Sequence, residues 1–365
     1  MIARTQWTVV RRALAVGAVV TACTGEHPVP ATLSQAVPLS ERQRGVSWVA
    51  SRDTVLTGDF DSLVDRGVNW IVQTPFGWQS NPSAPEVRGI RGDRGWWGER
   101  DEGIARTTEH ARTAGLRTLL KPHIWLTDRN DKTWRGDIAM DTEEDWREWF
   151  REYGEWILHY AALAERLGIE GLCIGTELGG TVHREAEWRA LIAQIRAVYR
   201  GPLTYAANWD REYLDVEFWD ALDWIGVQAY FPLSDEEFPT TEQIARGWSS
   251  HLAPLEELSE RTGRPIVFTE LGYKSAAYTA DEPWLWPERR AEVTDPRAFE
   301  AQARAYDAFF STVWPMDWVA GVYFWKWYPS TTLDRADLSG DFTPQEKPAA
   351  EVMTRWYRSL AAGTK

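Results

Sequence analysis

From residue 45 onward the sequence alternates eight times between a short apolar run and a longer amphipathic one. The short runs fall at residues 45–49, 68–74, 117–124, 171–175, 203–207, 224–229, 265–269 and 319–324. Short apolar stretches bounded by turn formers read as strands buried on both faces of a parallel sheet. The segments between them carry helical periodicity. Asp141 with Glu144 forms a capping-box pattern, and Trp146, Trp149, Phe150, Tyr153, Ile157, Tyr160, Ala164 and Leu167 then trace one face. Gly168 is placed to stop that helix. A second helix is predicted over 184–199, ahead of Gly201-Pro202, and a third starts at Asp295-Pro296, a cap followed by proline. Weaker patterns cover 59–65, 101–114, 212–222, 241–261 (broken by Pro254) and 349–360. Eight strand-then-helix units in one domain predict an α/β fold, a (β/α)8 TIM barrel. The alternative, a doubly wound open sheet, would want a glycine-rich phosphate turn after the first strand, and Val46-Ser47-Trp48-Val49-Ala50 supplies none.

A barrel brings the residues just past its C-terminal strand ends into one pocket. Here the fourth and seventh strands end in the same four residues, Thr176-Glu177-Leu178-Gly179 and Thr269-Glu270-Leu271-Gly272. Two carboxylates facing each other over a barrel mouth are the equipment of a retaining glycosidase, whose carboxyls stand about 5–5.5 Å apart. Either glutamate alone could be a strand-end salt bridge; the matched endings favour the pair. The remaining strand ends supply Trp48, then Gln73, Phe76, Trp78 and Gln79, then Lys121, His123 and Trp125. Asn208 and Trp209 follow the fifth strand, Gln228 and Tyr230 the sixth, Tyr273 the seventh, and Trp325, Lys326 and Trp327 the eighth. Amides and indoles bind neutral hydroxylated rings by hydrogen bonding and face stacking.

Within this set Tyr230 and Lys326 are the expected donors that keep a nucleophilic carboxylate ionised, and Trp325 the expected stacking floor. His123 either donates to a sugar hydroxyl or is a satisfied strand-end histidine. Asn208 either binds a hydroxyl or caps the turn into Trp209-Asp210, and Lys121 either binds substrate or pairs with an acid. Long irregular stretches at 75–99 and 278–293 overlie the same barrel face. The 23 tryptophans exceed what a core needs when only 4 methionines accompany them. A net charge of −14 argues against a nucleic-acid partner. No Cys/His group has zinc spacing, so neither metal nor cofactor is expected.

The first 22 residues read as an export signal, with Arg4, Arg11 and Arg12 ahead of an apolar run too short to span a bilayer. Val20-Thr21-Ala22-Cys23 resembles a bacterial lipobox, which makes Cys23 the lipidated first residue of the mature chain; a plain signal peptide is the alternative. Residues 23–44, with Pro28, Pro30 and Pro38, then form a flexible tether, and 45–361 the barrel. The expected protein is an exported, membrane-anchored monomeric lipoprotein that touches the membrane only through its lipid.

Ile174-Gly175-Thr176-Glu177-Leu178, Phe268-Thr269-Glu270-Leu271-Gly272-Tyr273 and Tyr323-Phe324-Trp325-Lys326-Trp327 resemble the large clan of retaining (β/α)8 glycoside hydrolases. Within it the chain is most similar to glycoside hydrolase family 113, whose known members are β-mannanases. The resemblance implies that Glu177 is the acid/base and Glu270 the nucleophile, with Tyr230 bonded to the nucleophile and Trp325 as the floor. It further implies endo-hydrolysis of a neutral β-linked polysaccharide, β-1,4-mannan first. A β-glucanase or β-galactanase on the same scaffold, a transglycosylase, or a non-catalytic sugar-binding barrel are the alternatives. One departure stands out: Thr176 occupies the place before the acid/base where many clan members have an asparagine that holds the sugar 2-hydroxyl. Either Asn208 takes over that contact, or the 2-hydroxyl is axial, as in mannose, and held differently.

Overall fold

The computed structural model describes residues 36–90, 95–128, 133–286, 293–330 and 338–362. The expected export signal, Cys23 and residues 24–35 of the expected tether lie outside them, as do 91–94 and 287–292 of the two long loops. Eight parallel strands close a barrel: β1 (Gln43–Trp48), β2 (Trp70–Gln73), β4 (Arg117–Leu120), β6 (Gly171–Thr176), β7 (Leu203–Asn208), β8 (Trp224–Gln228), β9 (Ile266–Leu271) and β10 (Val319–Trp327). Neighbours in space follow chain order, and β1 pairs with β10, Gly45 beside Tyr323, to shut the ring. The first strand starts ahead of its expected position because Arg42 is already part of the fold. Its guanidinium is buried, donates to Val37 O (3.2 Å) and to Trp314 O, and lies over the Trp314 ring.

The third expected strand is split. After β4 comes Lys121-Pro122, and after β2 comes Thr74-Pro75, so both neighbouring strands meet a residue with no N–H at the same height. The barrel ladder stops there and resumes as a separate parallel pair, β3 (Phe76–Gln79) with β5 (His123–Leu126). This extension carries His123 and Trp125 beyond the barrel rim.

Helices α1 (Asp61–Asp65), α2 (Asp101–Thr113), α3 (Glu143–Leu167), α4 (Glu185–Val198), α5 (Glu212–Asp215), α6 (Thr241–Thr262), α7 (Pro296–Thr312) and α8 (Pro348–Ala362) surround the strands. The cap of α3 is Thr142 rather than Asp141: its hydroxyl accepts from Asp145 N at 3.1 Å. Gly168 ends that helix in the left-handed region, φ 61°. The expected break at Pro254 does not occur. The buried stripe Ile244, Trp248, Leu255 and Leu258 holds α6 straight through the proline, and packing outweighs one lost backbone bond. The helix expected over 212–222 shrinks to α5 and a 3-10 turn at Trp219–Ala221.

Much of the tryptophan surplus is structural. Trp149, Trp188, Trp219, Trp248 and Trp314 are fully buried. Each such ring removes about 150–250 Å² from water, worth roughly 4–6 kcal/mol. Trp149 stacks on Tyr153 at 4.8 Å, and the Tyr153 hydroxyl donates to Ile174 O (2.7 Å), which locks α3 against the strand that ends in Glu177.

Candidate active site

Glu270 lies inside β9 and is 5% exposed. Lys121 Nζ, itself wholly buried, donates to its Oε1 at 2.5 Å, and the Tyr230 hydroxyl donates to its Oε2 at 2.8 Å. Lys121 is aimed by two further acceptors, Gln228 Oε1 (3.2 Å) and Thr269 O (3.1 Å), while Thr269 Oγ1 donates to the same amide oxygen at 3.0 Å. The adjacent ends of β8 and β9 thus orient an ammonium that reaches one carboxylate from β4, across the barrel. An acid held between a cation and a hydroxyl is poised as an anionic nucleophile.

Glu177 is built differently. It stands one residue past β6 with φ 53°, left-handed backbone that costs a non-glycine residue about 1–3 kcal/mol unless its surroundings fix it. Its N–H donates to Ala206 O (2.8 Å), and Leu178 N donates to the Tyr205 hydroxyl oxygen (2.9 Å). Arg135 Nη1 donates to Glu177 Oε2 at 2.7 Å. Burial pushes the Glu177 carboxyl above the usual carboxylate range; the Arg135 charge opposes this and the Glu270 charge reinforces it. A carboxyl whose proton affinity burial raises, set beside one clasped by a cation, is the arrangement of a general acid and a nucleophile.

Arg135 was not foreseen among the strand ends because it sits in the loop between β5 and α3. A 3-10 turn, Arg135–Asp137, presents it, and Arg135 Nε donates to Ile124 O (3.0 Å). Two glycines make room. A Cβ on Gly136 would fall 2.4 Å from the Trp134 ring, and one on Gly180 would fall 2.4 Å from Ile138 O. Gly180, three residues after Glu177, therefore seats the loop that delivers its arginine partner.

His123 bridges the two halves. Its Nδ1 is 3.4 Å from Arg135 Nη1 and its Nε2 is 3.8 Å from Glu270 Oε1. Burial, then the Lys121 and Arg135 charges, hold its pKa well below the ordinary histidine value, so the ring is neutral. Arginine only donates, so Nδ1 accepts and the proton sits on Nε2. That buried Nε2 has no hydrogen-bond partner among the described residues and can meet a hydroxyl oxygen.

Glu177, Glu270, Lys121, His123, Gln228 and Tyr230 are thus brought together. Lys326, expected to support the nucleophile, instead pairs with Asp341 (3.3 Å) and lies 4.3 Å from the centre of the Trp286 ring; Lys121 holds the place beside Glu270. Trp325 is half-buried and meets Trp286 edge-on at 6.4 Å. Asn208 Oδ1 accepts from Trp209 N (2.8 Å), so that oxygen caps the turn. Thr176 is also turned away from the pocket, its hydroxyl donating to Pro122 O (3.3 Å).

Trp209 stacks on Trp284 at 4.7 Å, a partner from the long loop after β9. Trp125, 44% exposed, and half-buried Trp78 stand on the β3–β5 extension. Four expected binders occupy structural positions. Trp48 is buried against Phe60 (4.5 Å), Trp327 is buried beneath Arg66, and Tyr273 is fully buried beside Tyr306. The Gln79 amide is spent on Trp149 Nε1, Asn81 O and Pro82 O.

A closed (β/α)8 barrel with a buried carboxyl pair at its fourth and seventh strand ends, one clasped by a cation and one whose pKa burial raises, defines the glycoside hydrolase class. Similarity narrows it further. The sequence model of Glycoside Hydrolase Family 113 matches residues 49–360, and the chain belongs to that family. A family 113 β-mannanase from Alicyclobacillus acidocaldarius, solved in complex with ManMIm, is 28% identical with a TM-score of 0.73; the match covers 87% of this chain and 98% of that one. A second family 113 structure, a β-1,4-mannanase complex, is 25% identical with a TM-score of 0.73, covering 87% and 99%. A β-glucuronidase from Ruminococcus gnavus, 15% identical over 86% of this chain and 50% of its own, shares the fold at a TM-score of 0.56. No curated protein sequence matches the chain.

Proposed function

We propose that this enzyme is a retaining endo-β-1,4-mannanase. The unequal surroundings of its two glutamates carry the reading: Glu270 is clasped by Lys121 and Tyr230, while burial raises Glu177 toward protonation. Glu270 attacks the anomeric carbon, forming a carbon–oxygen bond as the glycosidic bond breaks. The Glu177 proton passes to the leaving oxygen. Glu177, now a carboxylate stabilised by Arg135, takes a proton from water; the water oxygen attacks the same carbon and releases Glu270 as a carboxylate.

Mannan as the substrate is supported by the family 113 β-mannanases that the chain resembles over most of its length. The pocket is also consistent with it, since its cations Lys121 and Arg135 are each bound to a catalytic carboxyl and the Gln228 amide and the neutral His123 ring stand beside them. The sequence of the leader supports export as a lipoprotein anchored through Cys23 and acting as a monomer outside the cytoplasm.

The test is a substrate panel of mannan, glucomannan, β-glucan and galactan, with product anomers followed by NMR. We expect mannan to be cut fastest, at internal bonds, with the β-anomer appearing first. Preference for β-glucan or galactan would replace the substrate, and a first-formed α-anomer would replace the mechanism.

A further inference from the structure

Beside Glu177 lies a third buried carboxyl that double displacement does not use. Glu212 opens α5 and is 6% exposed. Its Oε2 accepts from Asn208 N (2.7 Å), and its Oε1 is bonded to the Tyr205 hydroxyl. The same Tyr205 oxygen receives the Leu178 N–H, the amide directly after Glu177. One side chain therefore ties the turn after β6 to the end of β7.

Tyr205 has little freedom to drift. Its ring packs edge-on against Trp188 (5.4 Å) and Phe218 (5.7 Å), and a Cβ on Gly175 would lie only 2.6 Å from it. Glu212 also backs the turn itself, since a Cβ on Gly179 would sit 3.5 Å from its carboxyl carbon. The turn needs such support because Glu177 holds φ 53°, a conformation a non-glycine residue leaves readily. Of the two amide bonds flanking that residue, one ends on backbone at Ala206 and the other on the Tyr205 hydroxyl, with the Glu212 carboxyl drawn to the same N–H. Burial pushes the Glu212 carboxyl up to about 7, so the site tolerates an acid that burial disfavours. A residue needed only to fill space would not have to be ionisable.

We propose that Glu212 is a positioning residue: through Tyr205 it fixes the Leu178 amide, and so aims the left-handed Glu177 carboxyl at the leaving oxygen. This rests on Glu177 being the proton donor. Glu212→Gln keeps the volume but sets an NH₂ among groups that already donate, and Tyr205→Phe removes the relay oxygen. The assay compares kcat/KM on a phenyl β-mannoside, whose leaving group must be protonated, with that on a 2,4-dinitrophenyl β-mannoside, whose leaving group need not be.

Each variant should lose about 10- to 100-fold on the phenyl substrate and remain near wild type on the dinitrophenyl one. The double variant should be no worse than the poorer single one, because both act in one relay. Equal losses on both leaving groups, with a lowered Tm, would mean a purely structural role and overturn the proposal. Wild-type enzyme that cleaves neither these mannosides nor polymeric mannan would count against the mannan reading instead. A crystal structure of Glu212→Gln then decides the positioning role without any substrate: the Glu177 carboxylate should leave Arg135, and a carboxylate displaced by less than about 0.5 Å would overturn it.

Discussion

Thr176-Glu177-Leu178-Gly179 and Thr269-Glu270-Leu271-Gly272 share their four residues and each closes a barrel strand, yet they are folded apart. The second stays extended: Glu270 remains in the β9 ladder, and its carbonyl accepts from Ala229 N at 2.7 Å. In the first the strand stops at Thr176 and the backbone of Glu177 turns left-handed. The threonines diverge as well, Thr269 bonding the Gln228 amide that steers Lys121 and Thr176 bonding Pro122 O. What decides the chemistry of each glutamate is its neighbour across the barrel mouth. Glu270 sits in a fixed strand against a buried ammonium; Glu177 sits in a tight turn where burial, partly offset by a guanidinium, raises its pKa.

The sharpest way to break this comparison is to remove either carboxyl. Glu270→Ala and Glu177→Ala should each lower kcat by orders of magnitude. Added azide should restore turnover of an activated mannoside in both, giving the β-azide from Glu177→Ala and the α-azide from Glu270→Ala. Exchanged anomers would exchange the roles.

Lys121→Met comes next. It strips a buried carboxylate of its cation, and breaking one side of such a pair costs about 3–5 kcal/mol of stability. Thermal melting should fall accordingly, and kcat should drop by about two orders of magnitude. Wild-type stability and rate would show that Tyr230 suffices to hold Glu270.

The smallest effect is a shift in pH dependence. Arg135 opposes the elevation of Glu177, so Arg135→Gln removes a cation and must raise that pKa further; Glu270→Gln removes an anion and must lower it. Because the general acid works protonated, the alkaline limb of kcat/KM should move to higher pH in Arg135→Gln. In Glu270→Gln, which is too slow for a rate profile, ¹³C NMR of the Glu177 carboxyl should report the opposite shift. An unmoved limb would mean that Glu177 is not the group titrating there.

The strand pattern made the barrel, the acid pair and most of the pocket readable, because apolar runs and matched endings are local. Register was not. Whether a strand-end side chain faces the pocket or the helices depends on where each strand starts, and for that reason Trp48 and Trp327 are buried in packing instead of lining the cleft. Lys121 was in view, but its pairing with Glu270 joins β4 to β9 and leaves no trace in either segment. Arg135, in a loop with no periodic pattern of its own, carries only one faint signal: the glycines Gly136 and Gly180, whose missing side chains mark where two loops close on each other.

The central claim is that Glu270, and not its sequence twin, becomes bonded to the sugar. Incubating the enzyme with a 2-deoxy-2-fluoro-mannosyl fluoride, digesting it and locating the adduct by peptide mass spectrometry tests this directly. One added fluoromannosyl group is expected on the peptide containing Glu270. An adduct on Glu177, or turnover that never passes through an adduct, would contradict it.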